Sequence, residues 1–335
     1  MFFVLRSPER EHRTENTEQR TKGGHLSVIS YLFTGAGYQY VNLGKKAYDS
    51  SWLVRQHYDK IEKKYPEFRI NKMSFIGPVE DLMREENGII INAIYQRGIF
   101  DVLKDYKVNP EQMFGYKSGE LMALVCAEAI SFEDAFDFLF KKRQMIIEVV
   151  KMGFYHHFLI NTVPTAQVEK VIEELKGSVR AEIVCYNGKD SNIIICEAAA
   201  KEKLAELFKK MGGAVIAIPY EESACFSDLK PVADRLKEEF GKIQMDKPIH
   251  RIVCQTTGGY YDNVQEIKEK FTDYIYKPCR IDLALETMLK NGVNTFVEVG
   301  PGTFLSRMAR KRDSGKRALN TNDLGELSKT VKLAN

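Results

Sequence analysis

The stretch FGYKSGE, Phe114 to Glu120, sets two glycines four residues apart between an apolar run and a helix-forming run. That is the outline of a G-x-S-x-G elbow, the sharp strand-to-helix turn that lifts one side chain clear of a sheet. The central residue is Lys117, where a serine would stand in that pattern. In the longer segment NPEQMFGYKSGELMALVCAEA a proline turn and a brief strand precede the elbow, and a helix of small and apolar residues follows it.

Units of the same kind lie at both ends of the chain. VISYLFTGAGYQYVNLGKKAY reads as strand, Gly-x-Gly loop and helix, and NTFVEVGPGTFLSRMARK as buried strand, Gly-Pro-Gly turn and helix. Between them, IIINAIYQRGIFDVLKDY has helical spacing of apolar residues. SFEDAFDFLFKKRQMIIEVVKM is a long amphipathic helix with Ser131 and Asp134 in a capping arrangement, carrying Arg143 near its middle. From GFYHHFLIN to AVIAIPY the order is β, α, β, β, α, β, that of a ferredoxin-like unit. SDLKPVADRLKEEFGKI (helix), HRIVCQTTGG (strand) and IDLALETMLKNG (helix) return to the α/β pattern, so the ferredoxin-like unit is an insertion.

The expected fold is therefore α/β: a large hydrolase-like subdomain with a mostly parallel sheet, residues 29–151 and 220–313, and a small ferredoxin-like subdomain, residues 152–219. Residues 1–28 are polar for most of their length and are read as a disordered lead-in or the product of an upstream start codon. The tail, 314–335, is polar and ends in DLGELSKTVK, one further helix.

The 335 residues carry 49 basic and 46 acidic side chains mixed throughout, a formal charge of +3, which gives no field arguing for nucleic acid or a membrane surface. No segment reaches the about 18 uninterrupted apolar residues that a spanning helix needs, so the expected location is cytoplasmic. The six cysteines are far apart, with no C-x-x-C and no histidine at ligand spacing; they read as reduced core residues, and neither a metal nor a cofactor is expected. Gly35 and Gly37 lack the third glycine of a dinucleotide fingerprint. The clusters KKR at Lys141 and RKR at Arg310 read as solvated helix faces, with an acidic carrier or coenzyme phosphates as the alternative.

Taken in order, these segments resemble the malonyl-CoA:acyl-carrier-protein transacylase family, which includes the acyltransferase domains of polyketide synthases. The likeness runs from about Ile29 to Lys332: YLFTGAGYQYVNLGKKAYDSS is similar to the family's Gly-Gln-Gly loop and helix, FGYKSGELMALVCAEAISFEDA to its Gly-His-Ser-Leu-Gly-Glu elbow, and TFVEVGPGTFLSRM to its C-terminal strand, turn and helix. The resemblance implies ping-pong acyl transfer by a histidine-activated serine, from malonyl-CoA or a related acyl-CoA to the phosphopantetheine thiol of an acyl carrier protein, in fatty-acid or polyketide synthesis.

Carried over residue by residue, the serine falls on Lys117 and the histidine on Phe226, in SACF. The oxyanion-hole N–H groups fall on Ser118 and Ala36, the carboxylate-reading arginine on Arg143, and the glutamine that orients the histidine on Tyr274. Nucleophile and base are thus both replaced while the carboxylate reader stays. The reading is a family member that has lost most or all covalent transfer and keeps acyl or carrier-protein binding, on its own or beside a synthase.

The alternative is acyl transfer or thioester hydrolysis through an unconventional nucleophile, Lys117 or Ser118. Acylation of Lys117 would give an amide, which stalls the second half of the transfer, and Schiff-base chemistry has no visible proton shuttle. As an alternative to an anion-binding cleft, the resemblance sets Glu221 and Glu222 where the family has small residues, so that one of them would pair with Lys117 and fill the pocket. Of the six histidines only His156 and His157 could reach the cleft; the bland reading has one exposed and the other packed in the subdomain sheet.

Overall fold

A computed structural model describes residues 27–150, 155–218 and 226–334 of the chain. Its strands are β1 (Ile29–Phe33), β2 (Gln112–Gly115), β3 (Tyr155–Asn161), β4 (Ala181–Gly188), β5 (Ser191–Glu197), β6 (Ala214–Ile218), β7 (Arg251–Val253), β8 (Cys279–Arg280), β9 (Thr295–Val299) and β10 (Arg317–Asn320). They form two five-stranded sheets. The first has the order β10-β9-β1-β2-β7 and every pairing in it is parallel. β1, β2 and β9 are buried along their whole length, as strands covered on both faces must be. Phe33 is in register with both Gly115 and Val299, so three strands end level and the loops that leave them converge at one edge. Crevices at the carboxyl ends of parallel strands are where open α/β sheets take ligands.

The second sheet, β6-β3-β5-β4-β8, is antiparallel except for its last pairing, and with the helices Thr165–Glu174 and Lys201–Lys210 it makes the expected ferredoxin-like unit. Its two faces have different fates. Phe158, Ile160, Ile194 and Cys196 pack on the two helices in a small separate core, whereas Cys185, Ile193 and Ile195 point the other way into the core of the large subdomain. The small sheet is thereby fastened by one face to the large subdomain, with β4 against the helix Ile281–Lys290.

Two strands escape the sequence reading. β8 is two residues long, too short for any period to show, and it extends the small sheet from a late part of the chain by pairing parallel to β4. β10 lies in the tail, where only a helix is foreseen; that helix forms at Leu324–Ala334, but Arg317–Asn320, earlier in the tail, also pair with β9 and make an edge of the main sheet. The KKR and RKR clusters are engaged within the molecule: Lys141 pairs with Glu239, Lys311 with Asp190 at 2.9 Å, and Arg312 with Glu286 at 2.8 Å. No helix among the described residues is long and apolar enough to cross a membrane.

The helix Phe132–Val150 begins as its sequence requires. The Ser131 hydroxyl accepts the Asp134 N–H at 3.0 Å and donates to the Asp134 carboxylate at 2.7 Å. Ser131→Ala should lower stability by about 1 kcal/mol in urea unfolding, the usual size of a lost N-cap.

Candidate functional site at the strand-to-helix elbow

β2 ends at Gly115, and the helix Gly119–Cys126 starts four residues later. A chain can turn this sharply only where two segments of backbone touch. A Cβ on Gly115 would lie 2.0 Å from the Glu120 nitrogen, and one on Gly119 would lie 2.2 Å from the Phe33 carbonyl oxygen. Both glycines of the motif are therefore steric requirements of the elbow. Lys117, at its tip, has φ +52, the left-handed conformation that L side chains adopt at a cost.

What holds Lys117 there is Gln255, two residues past the end of β7. Its side-chain amide grips the lysine backbone twice, accepting from the Lys117 N–H at 2.6 Å and donating to the Lys117 carbonyl at 3.0 Å. The same amide donates to Glu120 Oε2 at 2.6 Å, the Gln255 N–H donates to Glu120 Oε1 at 3.1 Å, and the Tyr261 hydroxyl donates to Oε1 at 3.1 Å. Glu120 is fully buried, and burial pushes its pKa up to about 8 against the pull of these donors. Gln255 is the residue that sequence reading missed, since nothing local marks a glutamine 138 positions from its partner.

The loop after β1 supplies the opposite wall. Asn92 Nδ2 donates to the Gly35 carbonyl at 2.8 Å and Gln96 Nε2 to the Thr34 carbonyl at 2.8 Å, both from the long helix Glu85–Asp105, so residues 34–36 are pinned from behind. A Cβ on Gly35 would stand 3.1 Å from the Tyr116 carbonyl oxygen and 3.4 Å from Lys117 Cβ. Ala36 and Ser118 are both buried, and among the described residues neither backbone N–H has a protein acceptor. Two unused donors beside a helix N-terminus suit a developing or resident negative charge.

The remaining sequence candidates fall as follows. The Lys117 ammonium lies 5.5 Å from the Tyr116 ring centroid. Phe226 is buried in the main core at the start of the turn Ser227–Leu229. The Arg143 guanidinium lies over the Phe68 ring at 4.9 Å, with a buried Nε that has no acceptor among the described residues. Tyr274 packs edge-on to Phe271, with Lys142 above its ring at 5.1 Å. His57 pairs with Asp101 at 2.6 Å, on an early helix as expected. Glu221 and Glu222, with the first three residues of SACF, lie outside the described residues.

His156 is half-buried and His157 is buried in β3, so the expectation of a packed histidine holds for His157, while neither is fully exposed. Among the described residues neither ring nitrogen of His157 has a hydrogen-bond partner. Among the described residues the free cysteines Cys126, Cys185, Cys196, Cys254 and Cys279 are all buried, and no cluster of side chains is suited to a metal.

No family model matches the chain. Its homologues and structural neighbours are malonyl-CoA:acyl-carrier-protein transacylases. The malonyl CoA-acyl carrier protein transacylase of Bacillus subtilis strain 168 is 25% identical over 311 residues, 92% of this chain and 96% of that protein. The crystal structure of the transacylase from Clostridium perfringens superposes with a TM-score of 0.84 at 28% identity, covering 92% of this chain and 97% of that one. A malonyl-transacylase solved in complex with its type II polyketide-synthase acyl-carrier protein has the same fold, with a TM-score of 0.86 at 20% identity over 92% of this chain and 100% of that one.

Proposed function

We propose that this chain, homologous to the malonyl-CoA:acyl-carrier-protein transacylases of fatty-acid and polyketide synthesis, binds an acyl thioester or its carrier protein at the elbow without turning it over. One observation carries the reading: the elbow is kept in full, with its two glycines, its left-handed tip and its two unused N–H groups, while the tip residue is a lysine. A site under no demand would not need such a geometry. The residue at the tip decides the chemistry, because an amine acylated by a thioester becomes an amide that a second thiol does not cleave. Phe226, at the place of the base, is a buried hydrocarbon ring that takes no proton.

The partner in this reading is an acyl carrier protein, by analogy with the transacylase solved with its own. The substrate class is malonyl-CoA or a related acyl-CoA, with Arg143 as the carboxylate reader.

The test is transfer from malonyl-CoA to holo acyl-carrier protein, by the native protein and by the Lys117→Ser, Phe226→His double variant. The native protein should show no transfer above the uncatalysed control, and the double variant at least about 100-fold more, since nucleophile and base together account for most of such an enzyme's rate. Rapid transfer by the native protein would overturn the reading and point to Lys117 or Ser118 as nucleophile, which intact-mass analysis after incubation with malonyl-CoA would then assign.

A further inference from the structure

Each of the three strands that end level at the elbow sends an aromatic ring into one row. Tyr38 follows β1, Tyr116 follows β2 and Phe304 follows β9. The Tyr38 and Phe304 rings are stacked, with centroids 6.1 Å apart and planes at 21°, and Tyr116 meets Phe304 at 5.6 Å and 53°. The row ends at the tip of the elbow, because the Lys117 ammonium lies 5.5 Å from the Tyr116 centroid. The loop that carries Tyr38 touches the tip as well, through the approach of Gly35 to the Tyr116 carbonyl and Lys117 Cβ.

Segments far apart in the chain fix the row. Tyr38 lies so close to the Gly-Pro-Gly turn that a Cβ on Gly302 would stand 2.7 Å from its ring, and the turn is tied down where the Gly302 N–H donates to Asn322 Oδ1 at 2.7 Å. Phe304 opens the helix Phe304–Arg312, whose first turn is bound by the buried Glu298 carboxylate; it accepts from the Leu305 N–H at 3.1 Å and the Ser306 N–H at 2.8 Å. Tyr116 is buried in the main core, whereas Tyr38 and Phe304 are only half-buried. Two rigid rings therefore leave apolar surface open at the carboxyl edge of the parallel sheet, on the loops that also carry Ala36 and Ser118 with their unused N–H groups. Apolar and aromatic surface beside a few converging polar groups is the makeup of a small-molecule site.

We propose that Tyr38 and Phe304, backed by Tyr116, form a stacking platform that selects an acyl thioester with a flat, aromatic acyl group. The inference rests on the reading of the elbow as an acyl-thioester site and names the class of acyl group it favours. With the thioester carbonyl oxygen on the Ala36 and Ser118 N–H groups, the acyl group is the part of the ligand beside the elbow, while the adenine of coenzyme A is a whole pantetheine arm away. A flat ring gains from offset or edge-on contact with other rings beyond the area it buries, and an acetyl group has no such surface. No bond changes in this task, so it suits a cleft that holds its ligand unchanged.

Calorimetry on the full chain measures the affinities of benzoyl-CoA, acetyl-CoA, malonyl-CoA and free coenzyme A, for the native protein and for Phe304→Leu, Tyr38→Leu and Phe304→Tyr. The native protein should bind benzoyl-CoA at least about tenfold more tightly than acetyl-CoA. Phe304→Leu and Tyr38→Leu should each cut that preference by about fivefold with acetyl-CoA affinity nearly unchanged, and Phe304→Tyr, which keeps a ring, should retain it. Circular dichroism confirms that the variants, changed at half-buried positions, are folded. Equal affinities for benzoyl-CoA and acetyl-CoA, or a preference unchanged in both folded leucine variants, overturn the platform and leave the site reading standing, as does binding of malonyl-CoA without benzoyl-CoA. Loss of free coenzyme A affinity in step with benzoyl-CoA would mean that the rings hold the adenine, which also overturns it. If the native protein binds none of the thioesters, the site reading falls and the inference with it.

Discussion

Gly119→Ala is expected to cost this protein on the order of 4 kcal/mol or more, a large share of the roughly 5–15 kcal/mol by which an ordinary domain is stable. The sign is not obvious from secondary structure. Gly119 is the first residue of a helix, where alanine is favoured over glycine by about 1 kcal/mol. Against that, the new Cβ would lie 2.2 Å from the Phe33 carbonyl oxygen, 2.7 Å from its carbon and 2.8 Å from the Thr34 carbonyl oxygen. All three are backbone atoms of β1 and its loop, and β1 is hydrogen-bonded to strands on both sides, so none can swing away as a side chain would.

Overpacking of side chains costs about 1–3 kcal/mol, and a clash with fixed backbone belongs above that range. Gly241→Ala is the control: it also lies in a helix, its Cβ would meet nothing within 4 Å, and it should be neutral or stabilising by up to about 1 kcal/mol. Urea unfolding of the two variants beside the native chain decides the matter. Equal stabilities would mean that the elbow is looser than its contacts imply.

The same geometry explains what could be read from the sequence. A turn that brings a helix back against its own strand and the neighbouring β1 needs a residue without Cβ at each point of contact, so the spacing of Gly115 and Gly119 marks the elbow in the sequence. The parallel sheet was legible for a related reason: β1 and β9 are short, mostly apolar runs followed by glycine turns. Legibility failed where an element depends on a distant partner. β8 and β10 have too few residues to show a period, and they are strands because β4 and β9 offer edges to pair with. Gln255 belongs to the same class. Its amide matters through three hydrogen bonds to Lys117 and Glu120, and only the sheet brings these segments together.

His157 lies between the two cases. Counting histidines narrows the candidates to two, but only the alternation of β3 against its two cores decides which one turns towards the large subdomain. Lys117 stands out in sequence because it breaks a pattern, and the structure adds that the pattern around it is unbroken.

Stability should fall as pH rises from about 4.5 to about 8, and Glu120 should be the main cause. Its carboxyl is fully buried behind the elbow, and burial raises its pKa from 4.5 to about 8, with Asp273 adding to the rise and the donors from Gln255 and Tyr261 opposing it. Below pH 4.5 the group is protonated in both folded and unfolded chains. Between the two values the unfolded chain has released a proton that the folded chain still holds, so raising the pH favours unfolding. Each pH unit is worth up to about 1.4 kcal/mol, and the whole window on the order of 4 kcal/mol.

Glu120→Gln is the discriminating variant, because an amide of the same shape does not titrate. At pH 5 it should be close to the native protein or slightly less stable, since one of its amide hydrogens must face a donor. At pH 8 it should be the more stable of the two by several kcal/mol. Other groups, His157 among them, titrate in both proteins and cancel in the difference. If native and variant curves run parallel from pH 5 to 8, the hydrogen bonds from Gln255 and Tyr261 outweigh burial and Glu120 is a carboxylate in the folded protein. The elbow would then rest on a buried negative charge, and Lys117, three residues earlier in the same turn, would have an anion beneath it to balance.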